Sequence, residues 1–207
     1  THAYTDETVR MALDAGVKVI EHGQMVSEKT VKRMANEGIF WSLNTAGFSP
    51  ILFEHPNFAH GTPSGEKLAV AHDQSKELIG LVNKYKPRLV HNVDSVLMTL
   101  EQARAHRDFE KYQFADWFGN HAMLISATST GGELAQLTGQ RNPYPGKLGV
   151  SEAGAYADRL IVDGTPLEDL SVLGAQPKWF DAEPRGEGHE TIRVIMKDGK
   201  IYKNTLE

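Results

Sequence analysis

Cysteine is absent from this 207-residue chain, and its absence excludes several classes of site. Neither a disulfide framework nor a thiolate-ligated zinc or redox centre can form without it. Histidine and carboxylate side chains are therefore the ligands that remain for a metal ion. The chain offers nine histidines and 27 aspartates and glutamates for that purpose.

Long apolar runs and an excess of positive charge are missing as well. No segment approaches the ~20 consecutive apolar residues that cross a bilayer. The formal net charge of -5 does not suit a nucleic acid or an anionic membrane surface. We therefore expect no nucleic acid and no membrane as partners, but a neutral or small charged ligand. Any targeting segment would precede Thr1, so the location stays open between cytoplasm and periplasm.

What the chain does contain is typical of a folded globular protein. Hydrophobic residues make up 40% of it and charged residues 24%, a balance unlike that of disordered chains. The length suits one large domain or one and a half smaller ones.

One structural unit of helix, glycine, strand and polar loop occurs twice near the start. A helix that begins after Thr5 and ends at Gly16 is followed by a β-branched strand over 17–20, which delivers His22. A second helix begins at Ser27, and a second strand covers 39–43. This alternation is typical of a parallel α/β sheet or barrel.

Further along, the sequence predicts a long connection, a third helix and a third strand. The connection covers 44–64, is rich in proline, glycine, phenylalanine and histidine, and is expected to overhang a site. The helix covers 66–85, and the strand at 88–93 delivers Asp94.

The last part of the chain changes from helices to short strands. Interrupted packing helices are predicted over 99–138 and a structured loop over 140–149. Strands are predicted at 160–162, 192–196 and 201–203. The Asp-Gly pair between the last two strands indicates a hairpin.

Three residues combine the right chemistry with the right placement for a metal site. In parallel α/β barrels the functional groups stand at the carboxyl ends of strands, where we place His22 and Asp94. His2 precedes His22 by 20 residues, about one strand-helix repeat. Two imidazoles and a carboxylate suit Zn²⁺ and related ions. The plainer alternatives are a core histidine for His22, a disordered terminal residue for His2 and a helix cap for Asp94.

Several stretches together resemble the amidohydrolase superfamily, in particular its imidazolonepropionase-like and Xaa-Pro dipeptidase-like group. They are His-Ala-Tyr-Thr at 2–5, Ala-Leu-Asp-Ala-Gly-Val-Lys-Val-Ile-Glu-His-Gly at 12–23, Gly-Ala-Tyr-Ala-Asp at 154–158, Val-Asp-Gly-Thr-Pro-Leu-Glu-Asp at 162–169 and Val-Ile-Met-Lys-Asp-Gly-Lys-Ile-Tyr at 194–202. The resemblance covers nearly the whole chain.

The resemblance implies an α/β fold that is the C-terminal half of a (β/α)8 TIM-type barrel. Residues 1–150 would form this half, and residues 151–207 would complete a small composite β-sandwich. Among the family's metal ligands, His2 matches the histidine of the fifth strand, His22 that of the sixth, and Asp94 the aspartate that is also the general base. The His-x-His pair of the first strand and the carboxylated lysine of the fourth have no counterpart in the sequence. The family's Gly-Thr-Asp is here Asn92-Val93-Asp94.

The implied activity is metal-dependent hydrolysis of a C–N bond in a small amide or dipeptide, such as an Xaa-Pro dipeptide. The cofactor would be a divalent metal, zinc first, with one or two ions in the complete enzyme. Tyr4 would contact a substrate carboxylate, or else pack beneath the first helix. The expected partner is the missing N-terminal half of the barrel or a second copy of the chain. The alternative is a non-catalytic half-barrel that serves as a structural or binding partner or is inactive alone.

Overall fold

The computed structural model describes residues 1–95, 98–183 and 188–206. The chain divides into two compact units, Thr1–Val96 and Leu97–Glu207. The division into 1–150 and 151–207 that the resemblance implies stays a prediction. No helix among the described residues is long and apolar enough to cross a bilayer.

The first unit is built on a parallel sheet with the strand order β1-β2-β3-β4. Its strands are β1 His2–Thr5, β2 Val19–Met25, β3 Phe40–Ser42 and β4 Arg88–Leu89, and its α-helices are α1 Asp6–Asp14, α2 Glu28–Asn36 and α3 Pro63–Tyr85. The predicted alternation of helices and parallel strands is therefore confirmed.

The first two helices of this unit begin where the sequence signals predict, whereas α3 begins at Pro63 and not at residue 66. The Thr5 side chain accepts a hydrogen bond from the backbone of Thr8, and Ser27 caps the second helix in the same way. Each helix turns an apolar stripe inward, so that Val9 and Val31 are fully buried.

Two predicted strands differ from the observed ones. β2 continues to Met25, so His22 lies inside this strand and not at its end. β4 is shorter than the predicted 88–93 and ends at Leu89, which pairs with Trp41 of β3. The backbone N–H of Val90 donates a hydrogen bond to the carbonyl of Trp41 at 2.9 Å, and Asp94 lies in the segment that follows.

The long connection after β3 is ordered into three short 3-10 helices. They are Ala46–Phe48, Pro50–Glu54 and Pro56–Phe58. His72 of α3 ties this connection down, because its Nδ1 lies 2.7 Å from the carbonyl oxygen of Phe48.

The second unit contains helices followed by an antiparallel sheet. Its α-helices are α4 Leu100–Phe118, α5 Asn120–Ala127 and α6 Ser129–Gln136, with 3-10 helices Gly139–Arg141 and Leu170–Leu173 and strands β5 Arg159–Val162, β6 Ile192–Lys197 and β7 Lys200–Asn204. The helices are interrupted at Gly119 and Thr128, within the predicted stretch of interrupted helices over 99–138. Asp198 and Gly199 both have positive φ, 52° and 74°, which matches the predicted two-residue hairpin turn.

Candidate functional site

Three aromatic side chains of the two neighbouring strands β1 and β2 meet in the first unit. The ring centroids of His2 and His22 are 4.5 Å apart, and the Tyr4 ring stacks on the His22 imidazole at 4.7 Å and 20°. The register of the strands produces this cluster, since Ala3 pairs with His22 and leaves His2 and Tyr4 on either side. Two of the predicted metal ligands and the predicted substrate contact are therefore neighbours.

Asp94 approaches the same imidazole from the segment after β4. Its Oδ2 lies 3.8 Å from Nε2 of His22, which is longer than a hydrogen bond. The His22 side chain is only 8% exposed, whereas that of Asp94 is 45% exposed. The structure thus brings His2, His22, Asp94 and Tyr4 together, with the carboxylate on the solvent side.

The electrostatic setting keeps the His22 ring neutral at neutral pH. Burial lowers the pKa of His22 and the nearby His2 lowers it further, against the opposing effect of Asp94 and Glu21. A neutral imidazole has a free nitrogen lone pair, which is the form that binds a metal ion. Burial, and secondarily the charge of Asp94, raises the pKa of Tyr4, so its phenol stays protonated and can donate a hydrogen bond.

The types of donor in this cluster therefore suit a divalent ion, but their arrangement is incomplete. Among the described residues, no group of three or more histidine, aspartate and glutamate side chains is placed to hold a metal ion. A resident metal would need His2, His22 and Asp94 to draw closer together, or further ligands from outside these residues.

The backbone at His22 has an unusual conformation. Its φ is 72°, in the left-handed region, and Gly23 follows with φ 68°. The indole Nε1 of Trp41, from the neighbouring strand β3, donates a hydrogen bond of 2.7 Å to the His22 carbonyl.

Some residues at the site carry no sequence signal for their role. Trp41 reads as an ordinary strand residue, and Glu21 accepts a hydrogen bond from Asn92 that no local pattern predicts. Gln24, two residues after His22, is 5% exposed, and its Oε1 has no hydrogen-bond partner among the described residues.

Two histidines of the long connection are engaged in local contacts. His60 stacks on Phe53 at 4.1 Å, and Nδ1 of His55 accepts a hydrogen bond from the backbone of Asn57.

No protein-family model and no curated protein matches the chain. Solved structures do match it. A crystal structure of an amidohydrolase has 27% sequence identity and a TM-score of 0.75, over 100% of this chain and 44% of that one. A prolidase crystallised with N-methylphosphonate-L-proline has 26% identity and a TM-score of 0.74, over 99% and 44%. An Xaa-Pro dipeptidase with methionine bound in its active site has 21% identity and a TM-score of 0.71, over 98% and 44%.

These matches confirm the resemblance to the amidohydrolase superfamily and the fold class. The chain has the fold of part of an amidohydrolase α/β barrel followed by antiparallel strands, and the solved structures that it resembles include a prolidase and an Xaa-Pro dipeptidase. It spans less than half of the length of these proteins, about 44%.

Proposed function

We propose that this chain belongs to a metal-dependent hydrolase that cleaves the C–N bond of small amides, with Xaa-Pro dipeptides as the substrate class. The observation that carries the proposal is that His2 and His22, on neighbouring strands of the parallel sheet, meet Asp94 from the segment after β4. The likeness of the chain to a prolidase and an amidohydrolase supports the same reaction class.

In this proposal each residue of the cluster has a defined task. His2, His22 and Asp94 would hold the divalent ion, zinc first, which when bound supplies Lewis acidity toward a carbonyl and a water molecule. Asp94 accepts a proton from the water that adds to the carbonyl carbon, and then passes this proton to the nitrogen, whose bond to the same carbon breaks in the second step. Its exposed position gives it access to both groups.

Tyr4 is proposed to orient the substrate. Its protonated phenol can donate a hydrogen bond to a substrate carboxylate, and its ring is fixed against the His22 imidazole. Tyr4 is 39% exposed, which leaves it accessible to a ligand.

The site needs further donors, because the described residues do not complete a metal site. We propose that they come from a polypeptide outside residues 1–207 that supplies the rest of the barrel, or from a second copy of the chain.

The test combines metal binding with hydrolysis. The 207-residue chain is supplied with Zn²⁺, Mn²⁺ or Co²⁺ and assayed on Ala-Pro and Met-Pro, with an N-acyl amino acid as a second amide class. Binding of N-methylphosphonate-L-proline is measured by calorimetry. His22→Asn and Asp94→Asn should lose metal binding or turnover, whereas His121→Asn, at an exposed position of α5, should retain both.

Two outcomes contradict the proposal for the chain as it stands. Less than about 0.2 metal ions per chain, together with no hydrolysis of any amide tested, favours the non-catalytic half-barrel instead. Equal activity in the His22→Asn variant would remove His22 from the site.

A further inference from the structure

We propose that Trp41 is a positioning residue, whose indole N–H holds His22 in its left-handed backbone conformation and so aims the imidazole at His2, Tyr4 and Asp94. The inference deepens the proposed function and rests on it for the role of His22. Trp41 acts on this cluster through its hydrogen bond to the His22 carbonyl.

The conformation of His22 requires a compensating interaction. A side chain with a Cβ atom is disfavoured at positive φ, because the Cβ crowds the following carbonyl group. His22 adopts φ 72° within a strand, where extended backbone is the rule. Such strain persists only where the surrounding structure imposes it, and it concentrates at functional sites.

The Trp41 indole provides that interaction. Its Nε1 donates a hydrogen bond of 2.7 Å to the carbonyl oxygen of His22, and Trp41 has no exposed surface. A buried carbonyl without a partner is costly, so the bond favours the backbone conformation that directs this carbonyl toward β3. The large buried ring also fixes the donor in place.

Gly23 makes room for the indole. A Cβ atom built on Gly23 would lie 2.8 Å from Nε1 of Trp41 and 3.3 Å from its Cε2. Gly23 is itself at φ 68°, so a second side chain at positive φ is avoided as well. His22, Gly23 and Trp41 thus form one device, which we term the indole clamp.

The clamp decides where the His22 side chain points. Residues of an extended strand alternate between its faces, and a left-handed residue breaks that alternation and redirects its Cβ. In the observed conformation the imidazole stacks on Tyr4 and lies 3.8 Å from Asp94. With an extended backbone at His22, the imidazole would no longer point toward Tyr4 and Asp94.

The direct test is the substitution Trp41→Phe, which keeps an aromatic ring and removes the N–H donor. We expect the NMR signals of the His22 imidazole to shift and its contacts with the Tyr4 ring to weaken. In the active enzyme we expect kcat to fall roughly tenfold, with KM changed less than about twofold. The matched control is Trp179→Phe, at a buried tryptophan of the second unit, which should leave the His22 signals and kcat unchanged.

A second test measures the coupling between Gly23 and Trp41. Gly23→Ala should shift the unfolding equilibrium roughly tenfold more than Gly16→Ala, because Gly16 has φ 83° but no atom within 4 Å of the added Cβ. Part of this difference should disappear in the Trp41→Phe background, where the atom nearest to the new methyl group is gone. Additive effects would contradict the clamp.

The two proposals fail in different ways. Unchanged His22 signals in Trp41→Phe would overturn the clamp, whether or not the chain hydrolyses an amide. Equal losses of kcat in Trp41→Phe and Trp179→Phe would also overturn it, since the effect would then reflect general destabilisation. Shifted His22 signals, together with no metal binding and no turnover even when the rest of the barrel is supplied, would uphold the clamp and overturn the proposed function.

Discussion

The Asn92 side chain donates a hydrogen bond to the Glu21 carboxylate, with 3.2 Å between Nδ2 and Oε2. Glu21 adjoins His22 in β2, and Asn92 lies two residues before Asp94. The bond therefore links the segment that carries the carboxylate to the strand that carries the imidazole. Asn92 occupies the position of the glycine in the family's Gly-Thr-Asp motif, and this bond gives its side chain a structural role.

Removal of this link should displace Asp94. A hydrogen bond to a charged group contributes about 1.5–3 kcal/mol, and between these half-buried partners we expect the lower end. Asn92→Ala should reduce kcat/KM roughly tenfold in the active enzyme, and Asn92→Asp should reduce it further through repulsion from Glu21. Asn36→Ala, at an exposed position of α2, is the control for both. Unchanged turnover in Asn92→Ala would show that Asp94 is positioned by other contacts.

The left-handed conformation of His22 predicts which replacements the fold accepts. Asparagine tolerates positive φ, whereas a β-branched valine does not. His22→Asn should therefore be nearly as stable as the wild type, and His22→Val should lose about 1–3 kcal/mol, as measured by urea unfolding. Both variants lack the imidazole, so equal losses of activity with unequal stability would separate chemistry from folding. Equal stability of the two variants would argue against strain at this position.

Asp6 provides a pH-dependent contribution to the stability of the first unit. Its Oδ1 accepts a hydrogen bond from the backbone N–H of Ser27 at 2.8 Å, and its Oδ2 lies 3.0 Å from Nε of Arg10. Burial alone would raise the pKa of Asp6, but hydrogen bonds from Thr30 and Ser27 and the charge of Arg10 lower it overall.

Because the folded pKa lies below the unfolded value, the folded state favours the carboxylate. The stabilisation is complete above the unfolded pKa of about 3.9 and is lost as the pH falls through the lower folded value. Asp6→Asn should therefore be less stable than the wild type at pH 7, and this difference should shrink below about pH 4. Asp73→Asn, an exposed change of the same charge on α3, is the control. A difference that stays constant down to pH 2 would contradict the assignment.

Two glycines with positive φ in the second unit allow the cost of backbone strain to be measured apart from the cost of steric crowding. Gly139 has φ 56° and no atom within 4 Å of an added Cβ, whereas a Cβ on Gly174, at φ 83°, would lie 1.7 Å from Cε1 of His189. Gly139→Ala should cost about 1 kcal/mol, and Gly174→Ala at least about 2 kcal/mol more, because His189 must move. Chemical denaturation of both variants measures the difference. Similar costs would indicate that His189 relocates freely.

Because both sheets have outer strands, we predict that the isolated chain associates with further copies of itself. β1 and β4 bound the parallel sheet and β5 and β7 bound the antiparallel sheet among the described residues, and open strand edges favour pairing with other chains. Sedimentation velocity over a range of concentrations should show dimers or larger species. A sharp monomer with a cooperative melting transition would contradict this prediction.

The sequence by itself determined the local elements of this protein. Thr5 and Ser27 cap helices because their side chains accept hydrogen bonds from backbone groups only three residues away, and Asp198-Gly199 forms a turn by its own backbone preferences. The resemblance to the amidohydrolases gathered His2, His22 and Asp94 into one hypothesis. These signals lie within a few consecutive residues or within recognisable motifs, so they can be interpreted from the sequence alone.

Tertiary structure alone decided how the site is held. The structure ends β4 at Leu89, and it brings the indole N–H of Trp41 to the carbonyl of His22, 19 residues away in the sequence. It also joins Asn92 to Glu21, 71 residues away. Each of these features depends on parts of the chain that are distant in sequence, and such contacts leave no periodicity or local preference from which they could be predicted.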